Sequence, residues 1–137
     1  MTWYYKSKPV DDSIVDSYIG CVYLITNKKT KRKYIGKKLF WFSKTRTLKG
    51  KKKREKVPSD WKEYYGSNNE LKADIETLGI KNFKREILYL CKTKGECTYY
   101  EAYEQFVREV LLTEDYYNGW ITCKVSISHL PKGLLRC

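Results

Sequence analysis

Histidine, long apolar runs and, over one quarter of the chain, acidic residues are what this sequence has least of. His129 stands alone among 137 residues, which excludes a histidine-cluster metal centre. No apolar run approaches the roughly 20 residues that span a bilayer, and the amino end, Met-Thr-Trp-Tyr-Tyr-Lys, has no apolar signal region. The expectation is a cytoplasmic protein with reduced thiols and no membrane partner. Its five cysteines are an odd number, at Cys21, Cys91, Cys97, Cys123 and Cys137. The pairs Cys91/Cys97 and Cys123/His129 are spaced more widely than compact zinc knuckles, so small buried or surface thiols are expected instead.

The shortage of acids is local. From Lys28 to Lys62 there are sixteen of the 28 basic residues and only two acids, Glu55 and Asp60, so this segment carries +14 and the remainder −2. A strongly basic segment on a near-neutral body is the electrostatic footprint of a nucleic-acid binder. An anionic membrane is a poorer match, because no amphipathic helix accompanies the lysines. The length suits one domain with a modest core.

Gly20 to Lys38 is the stretch that organises the rest. Two short apolar runs, Cys21 to Thr26 and Lys33 to Gly36, flank a polar turn that begins at Asn27, the pattern of a β-hairpin. Each arm carries a tyrosine, Tyr23 and Tyr34, and antiparallel pairing brings the two phenols onto neighbouring strands of one face. Val22-Tyr23, ten intervening residues and Tyr34-Ile35-Gly36 resemble the paired motif of the GIY-YIG nuclease family, and the rest of the chain resembles phage endonucleases of that family. Cys21 and Val22 stand where the family has glycine and isoleucine, and Gly20 sits one place earlier.

Residues 1–17 read as an aromatic arm before a domain over 18–127, with a basic insertion at 43–59 and a tail at 128–137. The insertion, too charged to fold alone, is expected to be a mobile loop that straps along phosphates. Leu39-Phe40-Trp41-Phe42 before it is expected to pack on the core. Ser67, Asn68 or Asn69 caps a helix carrying Leu71, Ile75 and Leu78 and stopped by Gly79. Phe83 to Cys91 has the apolar density of a central strand. Thr98 and Glu101 fit a capping box for a helix over Tyr99–Leu112 that buries Ala102, Tyr103, Phe106, Val107, Val110 and Leu111. Asp115 to Trp120 reads as a turn, and Ile121 to Ile127 as a last strand. The expected fold is α/β (α+β), a small antiparallel three-stranded sheet flanked by helices.

The resemblance implies a site. Glu104, on the border of the helical stripe, corresponds to the family's single metal-binding glutamate, whereas Glu101 is already used by the capping box. Asn118, fourteen residues beyond Glu104, corresponds to the family's site asparagine. Tyr23 is then the candidate general base and Tyr34 orients water or phosphate, two roles that the sequence leaves exchangeable. The family's arginine falls at Lys44, so Arg46 is nominated, with Lys38 and Arg54 as substitutes. Lys37, Lys38, Lys44, Lys51, Lys52, Lys53 and Arg54 are the expected DNA contacts. One glutamate holds one ion, Mg²⁺ or Mn²⁺, that keeps most of its waters. The implied activity is a metal-dependent, phage-type DNA endonuclease acting on double strands and leaving 5′-phosphate and 3′-hydroxyl ends. Two alternatives stand beside it: a non-catalytic nucleic-acid-binding module using the 28–62 segment, and a lysine-rich structural protein of a ribonucleoprotein particle.

Overall fold

The computed structural model describes residues 2–122 and 124–131, with all their side chains except those of Arg46 and Leu48. In chain order the elements are β1 (Trp3–Tyr5), β2 (Lys8–Pro9), α1 (Asp12–Asp16), β3 (Gly20–Asn27), β4 (Lys33–Leu39), β5 (Trp41–Leu48), β6 (Lys51–Pro58), α2 (Asn69–Leu78), β7 (Phe83–Cys91) and α3 (Lys94–Val107). Short 3-10 turns lie at Trp61–Glu63, Ile80–Asn82, Val110–Leu112 and Ile127–His129.

The main sheet has five strands in the order β2-β1-β7-β3-β4, not three. Strands β7, β3 and β4 are antiparallel as expected, but β1 lies parallel to β7, pairing Trp3 with Arg85 and Tyr5 with Ile87. The two additional strands come from the stretch read as an arm. Burial of the Trp3 indole, whose Nε1–H donates to the Trp61 carbonyl at 2.8 Å, holds them in place. Asp11 caps α1 by accepting from the Ser13 and Ile14 amides.

Alternation along β3 divides the interior into two layers. Cys21, Tyr23 and Ile25 face one side with Trp3, Val15, Phe40, Trp61 and Leu71, beneath α1 and α2. Val22 and Leu24 face the other with Ile35, Cys91, Cys97 and Val110, beneath α3. Asn68 caps α2 through the Leu71 amide, and Gly79 ends it at φ +88, as the sequence predicts.

Three expectations are corrected. The basic insertion is not a loop but a second hairpin, β5–β6, with eight residue pairs from Trp41↔Pro58 to Leu48↔Lys51. Its two turn residues, Lys49 and Gly50, both take positive φ, +51 and +77, the geometry that matches the natural twist of a two-residue hairpin turn. Helix α3 begins five residues early, because the N-cap is Thr93, which accepts from the Glu96 amide at 3.1 Å, not Thr98. Its inward face therefore carries Cys97, Ala102 and Gln105, whereas Tyr103, Phe106 (53% exposed), Val107 and Leu111 face solvent. The described residues of 121–127 form no strand; Ile127 opens a 3-10 turn. Cys123 and Cys137 lie outside the described residues. No described helix is long and apolar enough to cross a membrane.

Candidate active site

Strand β4 is an edge of the main sheet, and its outward amides and carbonyls at Lys33, Ile35 and Lys37 need partners from elsewhere. Lys33 is served by backbone: its N–H donates to the Asp115 carbonyl and its carbonyl accepts from the Tyr117 amide. Ile35 is served by a side chain. The Asn118 amide oxygen accepts from the Ile35 N–H at 3.0 Å while its Nδ2 donates to the Ile35 carbonyl at 2.8 Å. One carboxamide thus imitates one residue of a neighbouring strand. Gln105 Nε2 donates to the same carbonyl at 3.2 Å, and the Lys37 N–H bonds the Glu101 carboxylate.

These partners form one wall of a cleft of about 500 Å³. Tyr23, Tyr34, Lys37, Glu101, Gln105 and Asn118 line it, and the first turn of α2 with Ser67 and Asn68 closes the far side. Trp120, 81% exposed, stands at the rim.

Tyr23 and Tyr34 sit diagonally across the β3–β4 ladder with ring centroids 6.2 Å apart. Tyr23, only 1% exposed, lies over its cross-strand partner Gly36, where a Cβ would come within 2.6 Å of the ring carbon Cζ and closer still to Oη. The glycine of the motif is therefore the space that the first tyrosine occupies. Trp3 and Tyr64 meet the Tyr23 ring edge-on, at 5.5 and 6.0 Å. Burial pushes the Tyr23 phenol well above the ordinary tyrosine value, and the neighbouring Tyr64 and Tyr34 phenols and a hydrogen bond with Tyr64 add to the rise. Tyr34 is also raised by burial, against a hydrogen bond with Ser67 at 3.2 Å that lowers it.

The 61–65 segment that presents Tyr64 is fixed from below by Arg85. This buried guanidinium donates to the Lys62 and Tyr64 carbonyls at 2.8 and 2.9 Å and lies between the Trp3 and Tyr65 rings. Asn118 is held at the chain level by its neighbour: the Tyr117 hydroxyl donates to Asp74 at 2.6 Å and accepts from Asn27 Nδ2 at 3.0 Å.

Of the residues selected from sequence, Tyr23, Tyr34, Lys37 and Asn118 meet at the cleft. Glu104 does not line it; it pairs with Arg108 at 3.6 Å and neighbours Tyr89. Glu101, set aside because a capping box explained it, lines the cleft, freed by the earlier start of α3; the other carboxylate there, Glu70, pairs with Arg32. Burial raises its pKa, and the Lys37 ammonium and the hydrogen bond from the Lys37 amide oppose the rise. Lys38 turns away from the cleft, pairing with Asp60 at 2.6 Å above the Tyr64 ring. Lys44, Lys51, Lys52, Lys53 and Arg54 are exposed along the β5–β6 hairpin. The Arg46 backbone pairs with Lys53 there, and its side chain lies outside the described residues. Sequence reasoning missed Tyr64 and Gln105 as site residues, and read Ser67 only as a cap. The signal for two of them was the polar run Tyr64-Tyr65-Gly66-Ser67 directly before a capped helix.

Hard oxygen donors are available for a cation. With its Nε2 committed to Ile35, Gln105 leaves Oε1 buried and without a hydrogen-bond partner, one helical turn from Glu101. Among the described residues no three His, Cys, Asp or Glu side chains gather as a metal cluster.

A family model described as "Putative endonuclease segE, GIY-YIG domain" matches residues 3–121. No curated protein and no solved structure matches the chain significantly.

Proposed function

The chain belongs to the GIY-YIG endonuclease-domain family, and from that premise we propose that it hydrolyses DNA phosphodiester bonds in the cleft at the outer edge of β4, with one Mg²⁺ or Mn²⁺ held at Glu101. The observation that carries this reading is convergence. Two motif tyrosines, a lysine, a half-buried carboxylate and an asparagine come from four separate stretches to one opening. Glu101 replaces Glu104 as the ligand because, of the two, Glu101 lines that opening, and the other lining glutamate, Glu70, is paired with Arg32.

Glu101 and the orphan Oε1 of Gln105 suit a small oxygen-seeking cation that keeps most of its waters. When bound there, the ion supplies charge for a phosphate oxygen and acidifies a water. Lys37, which lines the cleft with its ammonium 3.0 Å from Thr98 Oγ1, adds a fixed positive charge beside the phosphate. Tyr34, open to the cleft and bonded to Ser67, orients the attacking water. Tyr23 keeps its proton at neutral pH, so it serves as a hydrogen-bond donor that orients water or a phosphate oxygen beside Tyr34 rather than as a resting base. Asn118 positions the strand and has both amide atoms occupied by Ile35. The exposed Lys44, Lys51 and Lys53 neutralise flanking phosphates.

The test is supercoiled-plasmid cleavage by wild type, Glu101→Gln and Glu104→Gln, each with Mg²⁺ and with chelator. Nicking by wild type and Glu104→Gln only with metal, and a loss of about 100-fold or more in Glu101→Gln, is expected. Equal cutting by Glu101→Gln overturns the ligand assignment. Tight, salt-sensitive binding by a wild type that never cuts identifies a binding module instead.

A further inference from the structure

The β5–β6 hairpin has two chemically different faces. Directly opposed residues of an antiparallel pair point to the same side, so one face carries the pairs Ser43/Lys56, Thr45/Arg54 and Thr47/Lys52. These six residues are all exposed, and each pair sets a hydroxyl beside a cation with no acid on that face. The reverse face carries Phe42/Val57 at its root and Glu55 opposite Lys44. At about 3.3 Å per residue the eight-residue arms extend about 26 Å, and two strands about 4.8 Å apart with their side chains match a groove about 12 Å wide. The minor groove, about 6 Å wide, is too narrow for them.

The root is anchored and continuous with the candidate site. Only Phe40 separates β4 from β5; its ring is buried against Trp61, and its amide and carbonyl bond Ile19 and Ser59. Trp41 Nε1–H donates to the Tyr18 carbonyl at 3.1 Å, and the Lys56 ammonium lies 4.4 Å from the Trp41 ring centre. Between Ser43 and Val57 there is no aromatic residue, so the ribbon offers no platform for stacking unpaired bases. A-form RNA hides its major-groove edges from side chains.

We infer that the β5–β6 hairpin is a sequence-reading ribbon that enters the major groove of double-stranded DNA, with the Ser43/Thr45/Thr47 and Lys52/Arg54/Lys56 face towards the base edges. Arg54 bonds guanine O6 and N7, and the threonines meet thymine methyls and neighbouring acceptors. Lys51 and Lys53, on the reverse face, contact phosphate. This rests on the reading of the chain as a DNA nuclease and assigns its choice of cutting site to the hairpin.

The experiment uses the full chain as Glu101→Gln in chelator, bound to a pool of duplexes with randomised centres; the bound fraction is sequenced and guanine-N7 methylation protection is mapped. Enrichment of a short guanine-containing motif with protected N7 is expected. Arg54→Lys, which keeps the charge and loses the planar fork, should lower discrimination at one position by roughly 5- to 100-fold with the salt dependence unchanged. Lys53→Ala should weaken all sequences alike and lower the salt slope by about one. A pool recovered without enrichment, a bound duplex with unprotected N7, or stronger binding to a single-stranded oligonucleotide of the same length overturns the inference. A wild type that cuts plasmid but gives any of those results keeps the nuclease reading and loses the ribbon. One that protects N7 in an Arg54-dependent way but never cuts keeps the ribbon and loses the nuclease.

Discussion

The chain builds two β-hairpins one after the other, and they are stabilised in opposite ways. β3–β4 is buried on both faces; Val22, Tyr23, Ile25 and Ile35 are each at most 1% exposed. Its stability comes from apolar contact and from a ring fitted over Gly36. Beyond its root, the described side chains of β5–β6 are mostly exposed, and its strands are held by backbone ladder bonds and a turn whose φ values suit the twist. The first hairpin is a frame that fixes chemistry to fractions of an ångström. The second is a probe that exposes Ser43, Thr45, Thr47, Lys52 and Arg54 along one face.

Breaking the comparison at its strongest point means filling the space beneath Tyr23. Gly36→Ala should cost about 1–3 kcal/mol of stability and abolish cleavage, because the ring or the strand must move. In Gly50→Ala, by contrast, the Cβ meets nothing, and only backbone strain of about 1 kcal/mol is expected. Equal losses of Tm in urea-matched melts of the two variants would refute the contrast. Next in size is Asn118→Ala. It should cost about 1–3 kcal/mol by leaving the Ile35 amide unpaired, and shift the Tyr34 environment in near-ultraviolet spectra; an unchanged denaturant midpoint would contradict it.

The smallest expected effect has the opposite sign. Because burial raises the Glu101 pKa, the carboxylate adds stability only while protonated, below the ordinary glutamate value near pH 4.3, and that contribution is lost as pH rises through the folded value. Metal-free Glu101→Gln should therefore melt a few degrees above wild type at pH 7, with the gap closing towards pH 4. A lower Tm for the variant at pH 7 would show that the group stabilises the fold rather than serving a ligand.

What was legible in the sequence follows the same division. The β3–β4 hairpin, β7 and α2 write apolar period or caps into the chain, and each lies where the residues predicted it. β5–β6 writes neither, because Ser-Lys-Thr-Arg-Thr alternates hydroxyl with cation rather than apolar with polar, and only Lys49-Gly50 marked its turn. In α3 two overlapping signals compete: Thr93-Lys-Gly-Glu96 and Thr98-Tyr-Tyr-Glu101 both fit a capping box. The first is the one formed, with Thr93 as N-cap, and Gly95, a poor helix former, leaves room for His129, whose Cα would lie 2.9 Å from a Cβ there. Packed on the sheet, the helix turns Cys97, Ala102 and Gln105 inward and Glu101 towards β4, and leaves Tyr103, Phe106 and Val107 outward. Choosing the later cap therefore pointed to the glutamate that does not line the cleft. Spacing to Asn118 could not reveal this, because the loop between carries its own 3-10 turn.

The carboxamide and carboxylate that seal β4 have a consequence for how this protein behaves in a crowded solution. An unpaired strand edge invites addition of a foreign strand, and here the side chains that cover it are also those of the cleft. Changes to Asn118, Gln105 or Glu101 therefore open a docking edge as well as altering the chemistry. Soluble aggregates should accumulate first in those variants, and loss of activity there has to be read beside a sizing profile.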